Sequence, residues 1–351
     1  MLLLHLPPET LKQIFDYVGS SFFQEDTARL TVCKRWFEFA RVACYQNVTF
    51  SLETLHAFMS SETLKRPGLF RDTIETLTLN LGVYQAPVHA AGPSRLARKD
   101  TLYSTIQHRS VRDSRNQTWR ESLDKDLGNL ATIIQPARRL YFLHIQTYGS
   151  PKPDPFDGPE DYLPLCSIQA TLSVEHLKVL VLDLPGGVLT PSEDQEENCH
   201  ICPTIGALLH KLHYLHLRMR SICPEVLNPQ NSKENLHLRG VVINLSLKMG
   251  VPGITSAAHS KRCGPIGGGF LQLKADMQEQ AEVLGARMAS PKLIRILTHT
   301  LVQLEIQSLD VLNGKRMILE DNMQWDEDGK TVEEDSHTES DFSDESSTFF
   351  G

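Results

Sequence analysis

The stretch HLKVLVLDL, His176 to Leu184, is a nearly continuous apolar run of the length of a buried strand. Its relatives along the chain set the fold. Ile74 to Leu81 (IETLTLNL), Arg139 to Ile145 (RLYFLHI) and Tyr214 to Met219 (YLHLRM) show the same leucine-rich run or a period-two alternation, and Leu293 to Leu297 is a fifth candidate strand. Helix-like stretches precede most of them: Leu52 to Met59, Leu123 to Ile134, Thr204 to Leu212 and Ala275 to Met288. The order helix then strand, repeated, predicts a mixed α+β to α/β arrangement built from successive units.

Strand centres lie roughly 28 to 64 residues apart, wider and less even than the 20–29 of regular leucine-rich repeats. The expectation is therefore a degenerate solenoid with long insertions over residues 51–325. Four insertions stand out by composition: 83–120, basic and containing Pro87, Gly92 and Pro93; 149–161, reading GSPKPDPFDGPED; 185–200; and the glycine-rich 249–269. Leu312-Asn313-Gly314-Lys315 predicts a hairpin with Arg316 to Leu319 returning.

The 351 residues suffice for a sizeable core with an appendage, and 40% hydrophobic with 22% charged residues exclude disorder of the whole chain. The net charge of −8 is unevenly placed. Residues 320–345 hold twelve acids against Lys330, a balance of −11, so the remainder carries +3. Residues 83–120 carry seven Lys or Arg against Asp100 and Asp113, a balance of +5. From Asp326 the chain is polar and acidic, and 326–351 is expected to be a disordered tail whose charge could meet the basic insertion electrostatically. Thr331, Ser336 and Thr338 each precede an acid by three residues, a pattern for acid-directed phosphorylation that would strengthen such a contact. Seven scattered cysteines predict free thiols in a reducing compartment, cytoplasmic or nuclear. MLLLHL lacks a basic flank and is cut short by Pro7 and Pro8, and no apolar run approaches the length of a membrane span.

The first fifty residues follow a different pattern. In LPPETLKQIFDYV, Leu6 to Val18, prolines suit a helix's first turn, Glu9 its positive end, and Leu11, Ile14, Phe15 and Val18 share one face. Gly19-Ser20-Ser21 stops the helix. A second helical stretch runs from Ala28 to about Tyr45 with a break near Cys33, and around Trp36 its apolar residues cover more than half the circumference. A surface helix needs only a stripe about 100° wide, so this one is predicted to pack on two sides.

These residues carry a resemblance. Leu6-Pro7-Pro8-Glu9, the apolar set Leu11, Ile14, Phe15 and Val18, then Leu30 and Val32-Cys33-Lys34-Arg35-Trp36 resemble, in order and spacing, the F-box. The continuation Tyr45 to Leu52, with Leu55 and Phe58, looks like fungal F-box proteins in which a first repeat follows directly. The resemblance covers about residues 4–50. It implies a three-helix unit, residues 1–50, that docks on the Skp-type adaptor of a cullin-RING (SCF) ubiquitin ligase while the C-terminal region holds a substrate protein. The chain would then be no enzyme but a device raising the effective concentration of a substrate lysine. The adaptor contacts implied are Leu6, Pro7, Leu11, Ile14, Phe15, Leu30, Val32 and Trp36, with Val18 and Cys33 in support. Carrying the F-box as a scaffold, without directing ubiquitination, is the alternative.

Other chemistry is expected to be absent. Cys199-His200-Ile201-Cys202 with His210, His213 and His216 invites a zinc reading, but the spacings miss those of finger-type sites, so a cysteine-containing loop beside repeat histidines is expected and no metal ligand is assigned. Gly267-Gly268-Gly269 lacks the strand-then-helix setting of a phosphate cradle, and no nucleotide-binding or hydrolase motif occurs, so neither cofactor nor catalytic residue is assigned. The basic insertion, with Tyr103 and Trp119, reads as a solvated loop rather than a nucleic-acid surface.

Overall fold

Val179–Leu184, the strand with which the sequence reading began, lies deep in an open ten-stranded sheet, hydrogen-bonded on both edges to parallel neighbours. The computed structural model describes residues 5–61, 67–82, 101–148, 161–185, 187–191, 199–230, 235–247, 259–264, 269–299, 305–320 and 323–331. In chain order the described helices are α1 (Pro8–Glu25), α2 (Lys34–Gln46), α3 (Leu52–Ser60), α4 (Pro67–Thr73), α5 (Thr101–Ile134), α6 (Leu165–Thr171), α7 (Cys202–Leu208) and α8 (Phe270–Arg287). The main sheet takes β1 (Asn47–Ser51), β2 (Thr76–Gly82), β3 (Phe142–Tyr148), β5 (Val179–Leu184), β7 (Tyr214–Met219), β9 (Gly240–Asn244), β11 (Leu293–His299), β12 (Ile306–Asp310), β13 (Arg316–Leu319) and β14 (Lys330–Thr331), in that spatial order. Two small parallel pairs sit beside it, β4 (Asp161–Pro164) with β6 (Val188–Thr190) and β8 (Ser221–Ile222) with β10 (Lys261–Arg262).

From β1 to β11 every pairing is parallel and each strand lies beside the next main-sheet strand in the chain; β12, β13 and β14 then close the end as an antiparallel meander. Register explains the leucine pattern. Val48, Leu77, Leu143, Leu180, Leu215, Val241 and Ile294 form one cross-strand ladder, and Phe50, Leu79, Ile145, Leu182, Leu217, Ile243 and Ile296 form the next. All of them are buried, because alternate residues of a strand share one face and that face is covered. The cover comes from the connecting helices: Leu55 of α3, Leu127 and Leu130 of α5, Ile168 of α6, Ile205 of α7, and Leu273, Met277, Ala281 and Leu284 of α8 join the same core. The α8 residues recur at helical spacing, which accounts for the helix-like signal preceding β11. Ser51 starts α3 with a capping box, its side chain accepting from Thr54 N while the Thr54 hydroxyl accepts from Ser51 N.

The opposite face is polar at the centre. Thr78, His144, Val181, His216, Val242 and Arg295 align across it, followed by Asn80, Gln146, Asp183, Arg218, Asn244 and Leu297.

Five candidate strands coincide with β2, β3, β5, β7 and β11, and the hairpin at Asn313-Gly314 joins β12 to β13. Several expectations need correction. Residues 101–120, read as part of a basic loop, are the first half of α5; the prolines that suggested a loop end at Pro93, and between Thr101 and Leu127 no proline or glycine interrupts the helix. Residues 83–100 lie outside the described residues. The insertions at 185–200 and 249–269 contain β6 and β10, each pairing with a distant short strand, a partner that composition does not reveal. Of the 149–161 insertion, all but the first residue of β4 lies outside the described residues. β1 and β9 carry no separate expectation from the sequence, although β9 is buried throughout. The structured part extends past Asp326: residues 326–331 lie against the sheet and include β14, while 332–351 lie outside the described residues.

Candidate functional site

The N-terminal helices carry a core of their own. Leu11, Phe15, Phe23, Ala40, Ala43 and Cys44 are buried together, with Leu6, Leu30, Trp36 and Phe39 packed partly against them, and none belongs to the leucine core of the sheet. Gly19 lets the first helix fold back: at φ 80° it breaks α1 into two pieces, a conformation that a side chain disfavours, and brings Phe23 onto Phe15 with ring centroids 5.7 Å apart. Trp36 meets Phe15 edge-on at 4.6 Å and donates its Nε1–H to the Arg29 carbonyl at 2.6 Å. Asp26 caps the 3-10 turn Thr27–Leu30 by accepting from Ala28 N at 2.9 Å. Cys33 then caps α2, its Sγ accepting from Trp36 N at 3.4 Å, which explains the break expected there. The unit is fastened to the sheet where α2 runs directly into β1. Gln24 Nε2 donates to the carbonyls of Cys44 and Asn47, and Gln46 Nε2 donates to Glu75 at 2.8 Å.

With that core closed, large apolar side chains remain outside: Tyr17 at 94% exposure, Val32 at 65%, and Phe37, Phe22 and Val18 at about 40%. The ten residues singled out for adaptor contact divide accordingly. Pro7, Val18, Val32 and Cys33 are exposed; Leu6, Ile14, Leu30 and Trp36 are half-buried. Leu11 and Phe15, 0% and 2% exposed, belong to the internal core and have no surface to offer a partner. Periodicity identified them as apolar and could not say which side of a two-sided helix they occupy. Tyr17, Phe22 and Phe37, which are not among those ten, join the exposed set, because the closed packing of the unit leaves them outside.

A second surface is the polar face of the sheet, crossed by residues 323–331. His216 Nδ1 lies 2.8 Å from Asp326 Oδ2, and Trp325 rests against the Arg218 guanidinium, 5.2 Å from ring centroid to Cζ. Arg218 is itself held by Asp183, with one guanidinium nitrogen donating at 2.8 Å. Arg295, 2% exposed, donates to the Glu327 carbonyl and, at 2.6 Å, to Asp328. The hydrogen bond with His216 holds the Asp326 carboxyl below its usual range against the opposing effect of burial. Burial lowers the His144 imidazole, with His216 adding to the shift while Asp183 and Asp326 oppose it. The first acids of the tail thus meet His216 and Arg295 on the sheet.

The residues weighed for zinc separate. His210 Nδ1 lies 2.6 Å from the Ala207 carbonyl and His216 is engaged by Asp326. His200 and Cys202 do come together, but with Cys223 and Cys263, far along the chain, rather than with the nearby histidines. No helix among the described residues is long and apolar enough to cross a membrane. No protein-family model matches the chain, and no curated protein is significantly similar to it.

Proposed function

We propose that the chain is a substrate-recognition subunit of an SCF-type cullin-RING ubiquitin ligase. The N-terminal helices act as an F-box that binds the Skp-type adaptor, and the sheet domain, a degenerate leucine-rich-repeat-like solenoid, presents a substrate protein. The observation that carries this reading is the division of the motif residues. Phe15 and Leu11 close a small independent core, while Pro7, Val18, Val32 and Cys33 from the same motif stay exposed beside Tyr17 and Phe37. A unit that small has little apolar material to spare, and apolar side chains left outside fit a docking surface better than a packing residue. The parallel strands laid down in chain order support the solenoid, since each helix-strand unit packs on its neighbours. The polar face around Thr78, His144 and Gln146, beside the segment 323–331 that covers His216 and Arg295, is the surface assigned to the substrate.

Affinity purification of the full-length tagged chain tests the proposal. Adaptor, cullin and RING subunits are expected together, and Val32→Asp is expected to remove all three. Adaptor without cullin would favour the scaffold alternative. Absence of the adaptor from the wild-type preparation would overturn both.

A further inference from the structure

Four metal-ligand side chains converge at one edge of the leucine core, at a place that the reading above does not use. His200, Cys202, Cys223 and Cys263 bring one donor atom each to within 4.8 Å of one another. Cys202 is the first residue of α7 and 0% exposed; Cys223, 6% exposed, precedes the 3-10 turn Pro224–Leu227; Cys263 follows β10. The fold brings them together by independent means. The parallel pairing of β8 with β10 sets Ser221 opposite Lys261 and Ile222 opposite Arg262, so the next position on each strand is Cys223 and Cys263. Ser260 Oγ donates to the Met219 carbonyl and Lys261 N to the Arg220 carbonyl, both at 2.7 Å, which pins β10 in that register. Gly206 lets α7 approach the turn after Cys223 so closely that a Cβ there would sit 2.6 Å from the Glu225 carbonyl oxygen. That approach seats Cys202 beside Cys223.

We propose that these four residues form a structural zinc site of the Cys3His type, tying the start of α7 to the ends of β8 and β10. Tetrahedral zinc with bonds of about 2.3 Å to sulfur requires Sγ atoms about 3.8 Å apart. Cys202 Sγ and Cys263 Sγ are 3.8 Å apart. The imidazole fits the fourth corner: His200 Nδ1 is buried without a hydrogen-bond partner, while Nε2 faces the Glu225 carboxylate at 3.6 Å. A ligand histidine with its second nitrogen directed at a carboxylate is the arrangement that orients the ring and raises its basicity. A disulfide accounts for the cluster less well, because it would join two sulfurs at about 2 Å and leave a third thiol and the histidine unused. An iron–sulfur cluster places its protein ligands on different irons and needs a wider cage.

Zinc binding would release the thiol protons to solvent and leave three thiolates, a neutral imidazole and Zn2+ with a net charge of −1. A cleft lined by Leu184, Leu189, Cys199, Met219 and Arg220 opens beside His200 and Cys263 and supplies a route of entry.

The full-length chain, expressed with zinc and purified without chelator, is expected to carry one zinc per chain by elemental analysis. Cobalt exchange should give the intense visible bands of a tetrahedral site and thiolate-to-cobalt charge transfer. Cys223→Ser with Cys263→Ser should abolish zinc, and Cys199→Ser should leave it at one per chain. Because the double variant could fail to fold, His200→Cys supplies an independent arm: with four thiolates it should retain the metal and strengthen the charge-transfer band. A zinc-free wild-type protein, a disulfide among Cys202, Cys223 and Cys263, zinc retained by a folded double variant, or zinc lost from folded His200→Cys or Cys199→Ser would each overturn the site. Adaptor binding is not read in any arm, so the outcome is separate from that of the ligase proposal.

Discussion

Replacing Phe15 and Val32 one at a time separates the inside of the N-terminal unit from its outside. Phe15 is 2% exposed and its ring lies within 6 Å of those of Phe23, Trp36 and Phe39. Truncation to alanine should cost about 3–5 kcal/mol, the range for a buried aromatic. Among the described residues six make up the buried core of that unit, two of them alanines, so a loss of this size is comparable with all the stability such a unit can hold. None of those neighbours belongs to the leucine core, so the sheet should stay folded. Hydrogen exchange should therefore show protection lost over residues 8–46 and kept in β2 to β11. Val32, 65% exposed, should tolerate Val32→Asp within about 0.5 kcal/mol of stability. On the adaptor, however, the same change removes the burial of a valine and forces a carboxylate out of water, together about 2 kcal/mol or roughly 30-fold in Kd. Calorimetric titration of each folded variant with a purified Skp-type adaptor measures this. If Val32→Asp binds with the wild-type Kd, or if Phe15→Ala melts the sheet together with the helices, the assignment of inside and outside fails.

Arg295→Met should release residues 323–331, seen as hydrogen exchange in that segment with the leucine ladders still protected; Asp328 is 89% exposed, so screening leaves the ion pair little weight and the lost bonds should cost only about 1–2 kcal/mol. Acid should destabilise the same region. His144 has a folded pKa below its ordinary value, so the unfolded chain takes up the proton first and stability falls as pH drops through about 6.5; Asp326, also depressed, adds a loss only once pH falls below the ordinary carboxyl range near 4. Melting temperatures recorded from about pH 8 to about pH 3 should show both steps with this sign, and His144→Gln should remove the first. Gly206→Ala should cost about 1–3 kcal/mol, read as a lower melting temperature, because its Cβ would meet backbone carbonyls 2.6 and 2.7 Å away that cannot swing aside.

The leucine alternation in Leu77-Thr78-Leu79, Tyr214-Leu215-His216-Leu217 and their relatives was enough to predict strands alternating with helices, since period two and period 3.6 report directly on which side chains face a core. The hairpin at Asn313-Gly314 and the break near Cys33 were legible for the same local reason: turn and cap chemistry depends on residues next to one another. Strand β9 and the helical first half of α5 were not read, one because a short apolar run is ambiguous, the other because neighbouring prolines and charge outweighed good helix formers. What the sequence determined by itself was therefore the identity of the apolar and polar residues and their local periods. What only the tertiary structure decided was partnership over distance: that Leu11 and Phe15 turn inward while Val32 stays outside, that Asp326 meets His216, and that Cys223 and Cys263 join His200 and Cys202. Such contacts depend on strand register and close helix approach, which are settled by the packing of the whole sheet and leave no mark in the spacing of the residues that meet.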